Sequence, residues 1–203
     1  MNLYKVACAV ALGVGLLAAS TGSSLAEAPA NRVADSTKEA PADHDTEIYE
    51  NFLNQWTGKD HRPINVDRAA DALSQEGLAD AAQCAKQADG KVVQWAAARP
   101  IEDLGRVIVH LPYVHFVDRS TWKADDPRAR IAAGETVDSA VEAGFAHGLL
   151  TLSAISYDAT GQMATFTYAF VCGGLCGNGG SVVYRKTEKG WVQGAHPCGG
   201  WIS

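Results

Sequence analysis

The chain has 203 residues with 17 Lys+Arg, 23 Asp+Glu and 6 His, for a formal net charge of −6. Hydrophobic residues make up 47% and charged ones 20%, the balance of an ordinary globular protein. That excludes a disordered chain, a collagen-like repeat and a coiled coil, and makes one domain the expectation. The acidic balance argues against a nucleic-acid binder, which needs an excess of Lys and Arg on one face.

Lys5 precedes an apolar run over residues 6–19. The run is shorter than the roughly 20 apolar residues of a membrane-spanning helix and fits the hydrophobic region of a secretory signal. Ser24-Leu25-Ala26 then has the small-x-small form of a cleavage site, with Glu27 as the first mature residue. Residues 1–26 are therefore expected to be a signal peptide, which gives a periplasmic or secreted protein with no membrane span after cleavage. Cys8 lies near the start of the apolar run, not after it where lipidation would need it, so it counts as a small apolar residue of the signal. Cleavage removes only Lys5 among the charges, leaving the mature chain one unit more negative. It also leaves Cys84, Cys172, Cys176 and Cys198. An even number in an exported chain indicates two disulfides, and three pairings are open.

Residues 27–43 are rich in Ala, with Pro and charged residues, and nearly free of large apolar side chains, so they read as a flexible leader. A single domain over residues 44–203 follows. Ile48, Tyr49, Phe52, Leu53 and Trp56 recur on one face of a helix, with Asp43 or Asp45 to cap it and Gly58 to end it. Residues 59–63 are a polar loop and residues 64–66 a short strand. The Ala-rich stretch over residues 67–88 predicts two helices divided at Gly77, the second ending at Gly90. The β-branched run over residues 106–111 predicts a strand, and residues 113–117 another after Pro112. Residues 122–133 are charged and predicted as loop. A helix over residues 136–143 follows, with Thr136 as cap and Gly144 as stop.

The last third is β-rich. Residues 149–157 predict a strand, residues 158–161 a turn, and residues 163–172 an alternating strand. Phe166, Tyr168 and Phe170 share one face of it, with Thr165 and Thr167 on the other. Residues 181–187 and 191–193 form another pair around Glu188-Lys189-Gly190. The predicted class is α+β, with N-terminal helices packed on one face of a C-terminal antiparallel meander.

The run VCGGLCGNGG over residues 171–180 sits between two strands, and the chain ends Trp201-Ile202-Ser203. With Lys189-Gly190-Trp191 in the turn, this resembles a pattern of uncharacterised exported bacterial proteins. Those carry C-G-x-L-C-G-x-G between strands and close on W-[IV]-S. The resemblance covers the C-terminal third and brings no assigned activity. Such proteins often have the two motif cysteines alone. The resemblance therefore implies a Cys172–Cys176 pair, with Cys84 and Cys198 as an addition in this chain that forms the second.

Few residues speak for chemistry. Redox motifs use C-x-x-C opening a helix, whose N-terminus lowers the thiol pKa. Here C-x3-C lies between strands, and a structural disulfide is the expectation. Gly173, Gly174, Gly177, Gly179 and Gly180 lack the context of a phosphate loop and read as tight turns around that disulfide. His110, His115 and His196 do not have zinc-site spacing. A cysteine nucleophile beside His196 would need an unpaired thiol, and Asp125-Asp126 reads as solvated charge. Trp56, Trp95, Trp122, Trp191 and Trp201 could line a groove between helix and sheet. Trp122, in its charged loop, is the one expected to be exposed and to touch a partner. No catalytic, cofactor-binding or metal residue stands out. The function indicated is a non-catalytic exported binding domain for a protein or small-molecule partner. The rival is an exported hydrolase or thiol oxidoreductase with a site assembled from distant residues.

Overall fold

The computed structural model describes residues 42–174, 176–194 and 198–203. The expected signal peptide and cleavage site, nearly all of the expected leader, and His196 lie outside the described residues.

Helix α1 (Ala42–Thr57) buries Ile48, Tyr49, Phe52 and Leu53 and ends at Gly58, whose φ of 64° is left-handed. Strand β1 (Ile64–Asp67) follows. Helix α2 (Gln75–Asp89) starts at Ser74, whose Oγ accepts from Gly77 N, and stops at Gly90 with φ 69°. Strand β2 (Val114–Val117), helix α3 (Pro127–Ala132) and helix α4 (Val137–Ala146) come next. The remaining strands are β3 (Leu149–Leu152), β4 (Ser156–Tyr157), β5 (Met163–Gly173), β6 (Cys176–Thr187), β7 (Gly190–Gln193) and β8 (Cys198–Ile202). They form one sheet in the order β2-β1-β3-β5-β6-β7, with β4 also on β5 and β8 also on β6. The α+β class therefore holds. The sheet is mixed: β1 runs parallel to both β2 and β3, and the other pairings are antiparallel.

The helices do not share one face, which corrects the expected arrangement. On one face, Phe166, Tyr168 and Phe170 meet α1: Phe52 lies 5.2 Å from the rings of both Phe166 and Tyr168, and Trp56 lies 5.8 Å from Phe170. On the other face α2 packs Ala81 and Cys84 on Val183, with Met163 beside them. Thr165, assigned by its alternation to the side away from the helices, is thus fully buried, its Oγ1 donating to Val182 O at 2.8 Å. The physical reason is a narrow Ala stripe on α2, which lets that helix sit close to a floor of small side chains. Gly77 belongs to this contact and does not divide a helix. A Cβ there would come 2.8 Å from Leu73 Cδ2 and 3.3 Å from Thr167 Cγ2.

Three further expectations change. Residues 106–111 are not a strand: Asp103 caps a 3-10 turn at Leu104–Arg106, and Leu104 and Ile108 enter the core from it. The charged loop over residues 122–133 contains α3, signalled by Asp126 as cap and Pro127 in the first turn. Gly144 lies inside α4, where a Cβ would come 2.6 Å from Pro127 Cγ, and α4 instead ends at Ala146. Thr136 does cap α4, its side chain accepting from Ser139 N. The strand over residues 149–157 is broken between β3 and β4, and both parts pair with β5.

Two disulfides are present, Cys84–Cys198 and Cys172–Cys176, with Cα atoms 5.7 and 5.1 Å apart. The first ties α2 to β8. The second clamps the end of the β5–β6 hairpin, where Gly173 pairs with Cys176. The glycine run is therefore not a loop: Gly177, Gly179 and Gly180 are residues of β6.

At the start of α1, Tyr157 donates a hydrogen bond to Asp45 Oδ1 at 2.5 Å. Burial raises the Asp45 carboxyl above its ordinary range, against the lowering effects of the Tyr157 bond and of His44. A carboxyl that holds its proton more tightly when folded loses stability as pH rises through its raised pKa. Asp45→Asn keeps an oxygen for Tyr157 and removes the desolvated charge. The variant should melt higher than the parent at pH 7, and the gap should close by pH 3. Thermal unfolding across that range checks it.

Candidate functional site

The strand order places a cleft. The chain runs from β1 to β2 on one side and later returns to β3 on the other, so the direction of winding reverses at β1. In parallel sheets, ligands bind outside the carboxyl ends of the strands at such a switch point. Asp67 closes β1, Arg119 follows β2, and Ser153 follows β3. All three line one cleft of about 420 Å³. That is within the size range of small-molecule sites.

Asp67 is only 4% exposed. Arg119 holds it, with Nε 3.3 Å from Asp67 Oδ2, and also reaches Asp71, with Nη2 3.2 Å from Oδ2. The floor is the α2-side face of the sheet: Thr151, Thr167, Ala169 and Ser181. Ser153 Oγ accepts from Thr167 N at 2.9 Å and donates to Ala154 O, which fixes the floor where β3 ends. Ser181 is 2% exposed and lines the cleft, yet its hydroxyl has no hydrogen-bond partner among the described residues.

One wall is the first turns of α2, with Ser74, Glu76, Gly77 and Asp80. Trp201 of β8 also lines the cleft. Its indole lies across β6: a Cβ at Gly179 would come 2.5 Å from Trp201 Nε1, and one at Gly177 would come 3.2 Å from Cη2. The glycines of β6 thus clear a seat for the ring. Trp201 stays 43% exposed.

Trp122 is placed differently from expectation. It is half-buried, and its indole N–H donates to His147 O at 2.9 Å, tying its loop to the end of α4. Asp125 pairs with Arg130 at 2.6 Å, and Asp126 caps α3. His110 is exposed beside Glu50, 3.0 Å away, and His115 is exposed on β2. Among the described residues no three His, Cys, Asp or Glu side chains gather as a metal site. Cys84, Cys172, Cys176 and Cys198 are all paired. Sequence reasoning named Trp201 only as one of five possible groove tryptophans. It did not find Asp67, Arg119 or Ser181, because strand order alone brings them together.

A second concavity of about 870 Å³ lies between the end of α1 and α4, lined by Trp56, Ile64, Val141, Phe145 and Phe170 among others. It is more apolar and has no buried polar side chain in its lining.

No family model, curated protein or solved structure matches the chain. No helix among the described residues is long and apolar enough to cross a membrane.

Proposed function

We propose that this is a non-catalytic exported binding domain, stabilised by its disulfides, that holds a small polar ligand in the cleft at the carboxyl end of β1. The observation that carries the reading is the Ser181 hydroxyl, which lines the floor of that cleft with no hydrogen-bond partner among the described residues. The oxygen itself opens to the cleft, where a ligand atom can bond it in place of water. Trp201 supplies a flat, partly exposed surface in the lining, and Ser181 and the carboxylates supply polar groups for a ligand. The two disulfides and the segment preceding the fold support export, since such bonds persist outside the reducing cytoplasm.

The test is an amide-shift screen of the folded domain against small sugars, amino acids, amines and carboxylates. Shifts should gather at residues 67–80, 151–153, 167–169, 179–181 and 199–201. Shifts confined to the groove between α1 and α4, or no shifts with any compound, would overturn the proposal.

A further inference from the structure

We infer that the cleft takes an organic cation, an amine or guanidinium compound, which sits against Trp201 with its charge toward Glu76 and Asp80. The inference rests on the cleft being a binding site and adds the chemistry of its occupant. Four carboxylates line the cleft, Asp67, Asp71, Glu76 and Asp80, against a single cationic side chain, Arg119. Arg119 is already spent, bridging Asp67 and Asp71 through two nitrogens. Glu76 and Asp80 have no ion pair or hydrogen bond among the described residues. They stand one helical turn apart on the same side of α2, where two like charges repel. The N-terminal end of α2 carries about half a positive charge, too little to offset both.

Three independent features receive a cation there. The exposed Trp201 ring offers its negative face, and an indole is the best aromatic partner for an ammonium or guanidinium. A Cβ at Gly199 would come 2.8 Å from Asp80 Oδ2, so that carboxylate leans over β8 toward the tryptophan strand. The Ser181 hydroxyl in the floor can accept an N–H from the same ligand, because serine oxygen has two free lone pairs. A carboxylate, a phosphate or another anion would meet uncompensated negative charge at the mouth. A neutral polyol would satisfy the hydroxyls and leave Glu76 and Asp80 unneutralised.

The test titrates the folded, oxidised domain with agmatine and with spermidine, and in parallel with mannitol and with citrate, reading Trp fluorescence and heat of binding. Agmatine and spermidine should bind and perturb Trp201. Binding should weaken about tenfold or more in the Glu76→Gln/Asp80→Asn double variant, as befits loss of charged hydrogen-bond partners, and should weaken as salt is raised. Trp201→Leu should weaken it as well, while a melting profile equal to the parent's shows the fold intact. If mannitol or citrate binds and neither cation does, the inference falls and the binding site stands. Unchanged affinity in the double variant also overturns it. No binding by any probe overturns the inference, and if the amide-shift screen is equally silent the binding reading falls with it.

Discussion

Replacing Cys84 and Cys198 together with alanine should lower the melting temperature by roughly 10–20 °C. The bond joins residues 114 apart in sequence. On the chain-entropy relation, a loop of that length stabilises by about 5 kcal/mol, and a domain of this size shifts about 2–4 °C per kcal/mol. Replacing Cys172 and Cys176 removes a bond with a separation of only 4, for which the same relation gives about 2 kcal/mol. Paired substitution leaves no stray thiol in either variant. Calorimetry under non-reducing conditions should therefore rank the long cross-link above the short one. Equal losses would show that strain or residual structure in the unfolded chain, and not loop closure, sets their worth.

A steep loss of stability above pH 10 is the second large effect. Tyr49 and Tyr184 are fully buried, Tyr49 donating to Ser153 O at 2.7 Å and Tyr184 to Gln193 Oε1 at 3.0 Å. Burial pushes both phenols well above their ordinary range, and Tyr157 moves the same way through burial and the neighbouring Asp45. The unfolded chain ionises its tyrosines near pH 10 while the folded one holds their protons. Stability is thus complete below pH 10 and falls above it, by about 1.4 kcal/mol per pH unit for each buried phenol. Urea unfolding between pH 9 and 12 should show that slope. Tyrosinate absorbance for the buried rings should appear only together with loss of the near-ultraviolet dichroism. Tyr184→Phe should flatten the slope by one phenol's share, and a slope unchanged in that variant would refute the assignment.

What was legible in the sequence was what local periodicity controls. The i, i+4 pattern of Ile48, Phe52 and Trp56 marks α1, Gly90 ends α2, and the alternation of Phe166, Tyr168 and Phe170 fixes the register of β5. The errors came from distant partners. Residues 106–111 have strand-like side chains, but Asp103 caps a turn and Pro112 blocks a ladder. Gly177 and Gly179 look like loop residues because their reason, the Trp201 ring, arrives later in the chain. The buried state of Thr165 depends on α2 covering a face that alternation assigns to solvent. Asp67 and Arg119 meet only because β1 and β2 run side by side in parallel, a fact of topology that no spacing carries. The disulfide pairing came from the resemblance in the C-terminal third, and local pattern alone left three choices open.

The Cys84–Cys198 bond also fixes two elements of the cleft against each other. Its two ends lie in α2 and β8, the elements that carry Glu76 and Asp80 and Trp201. These lining elements are therefore held in place by a covalent bond. On the proposed binding reading, association would spend little free energy on ordering them, the way a rigid receptor gains affinity without gaining contacts. The same covalent link makes grip conditional on surroundings. In a reducing medium β8 loses its tether to α2, and on the proposed binding reading the cleft should hold its ligand less firmly than in the oxidised chain.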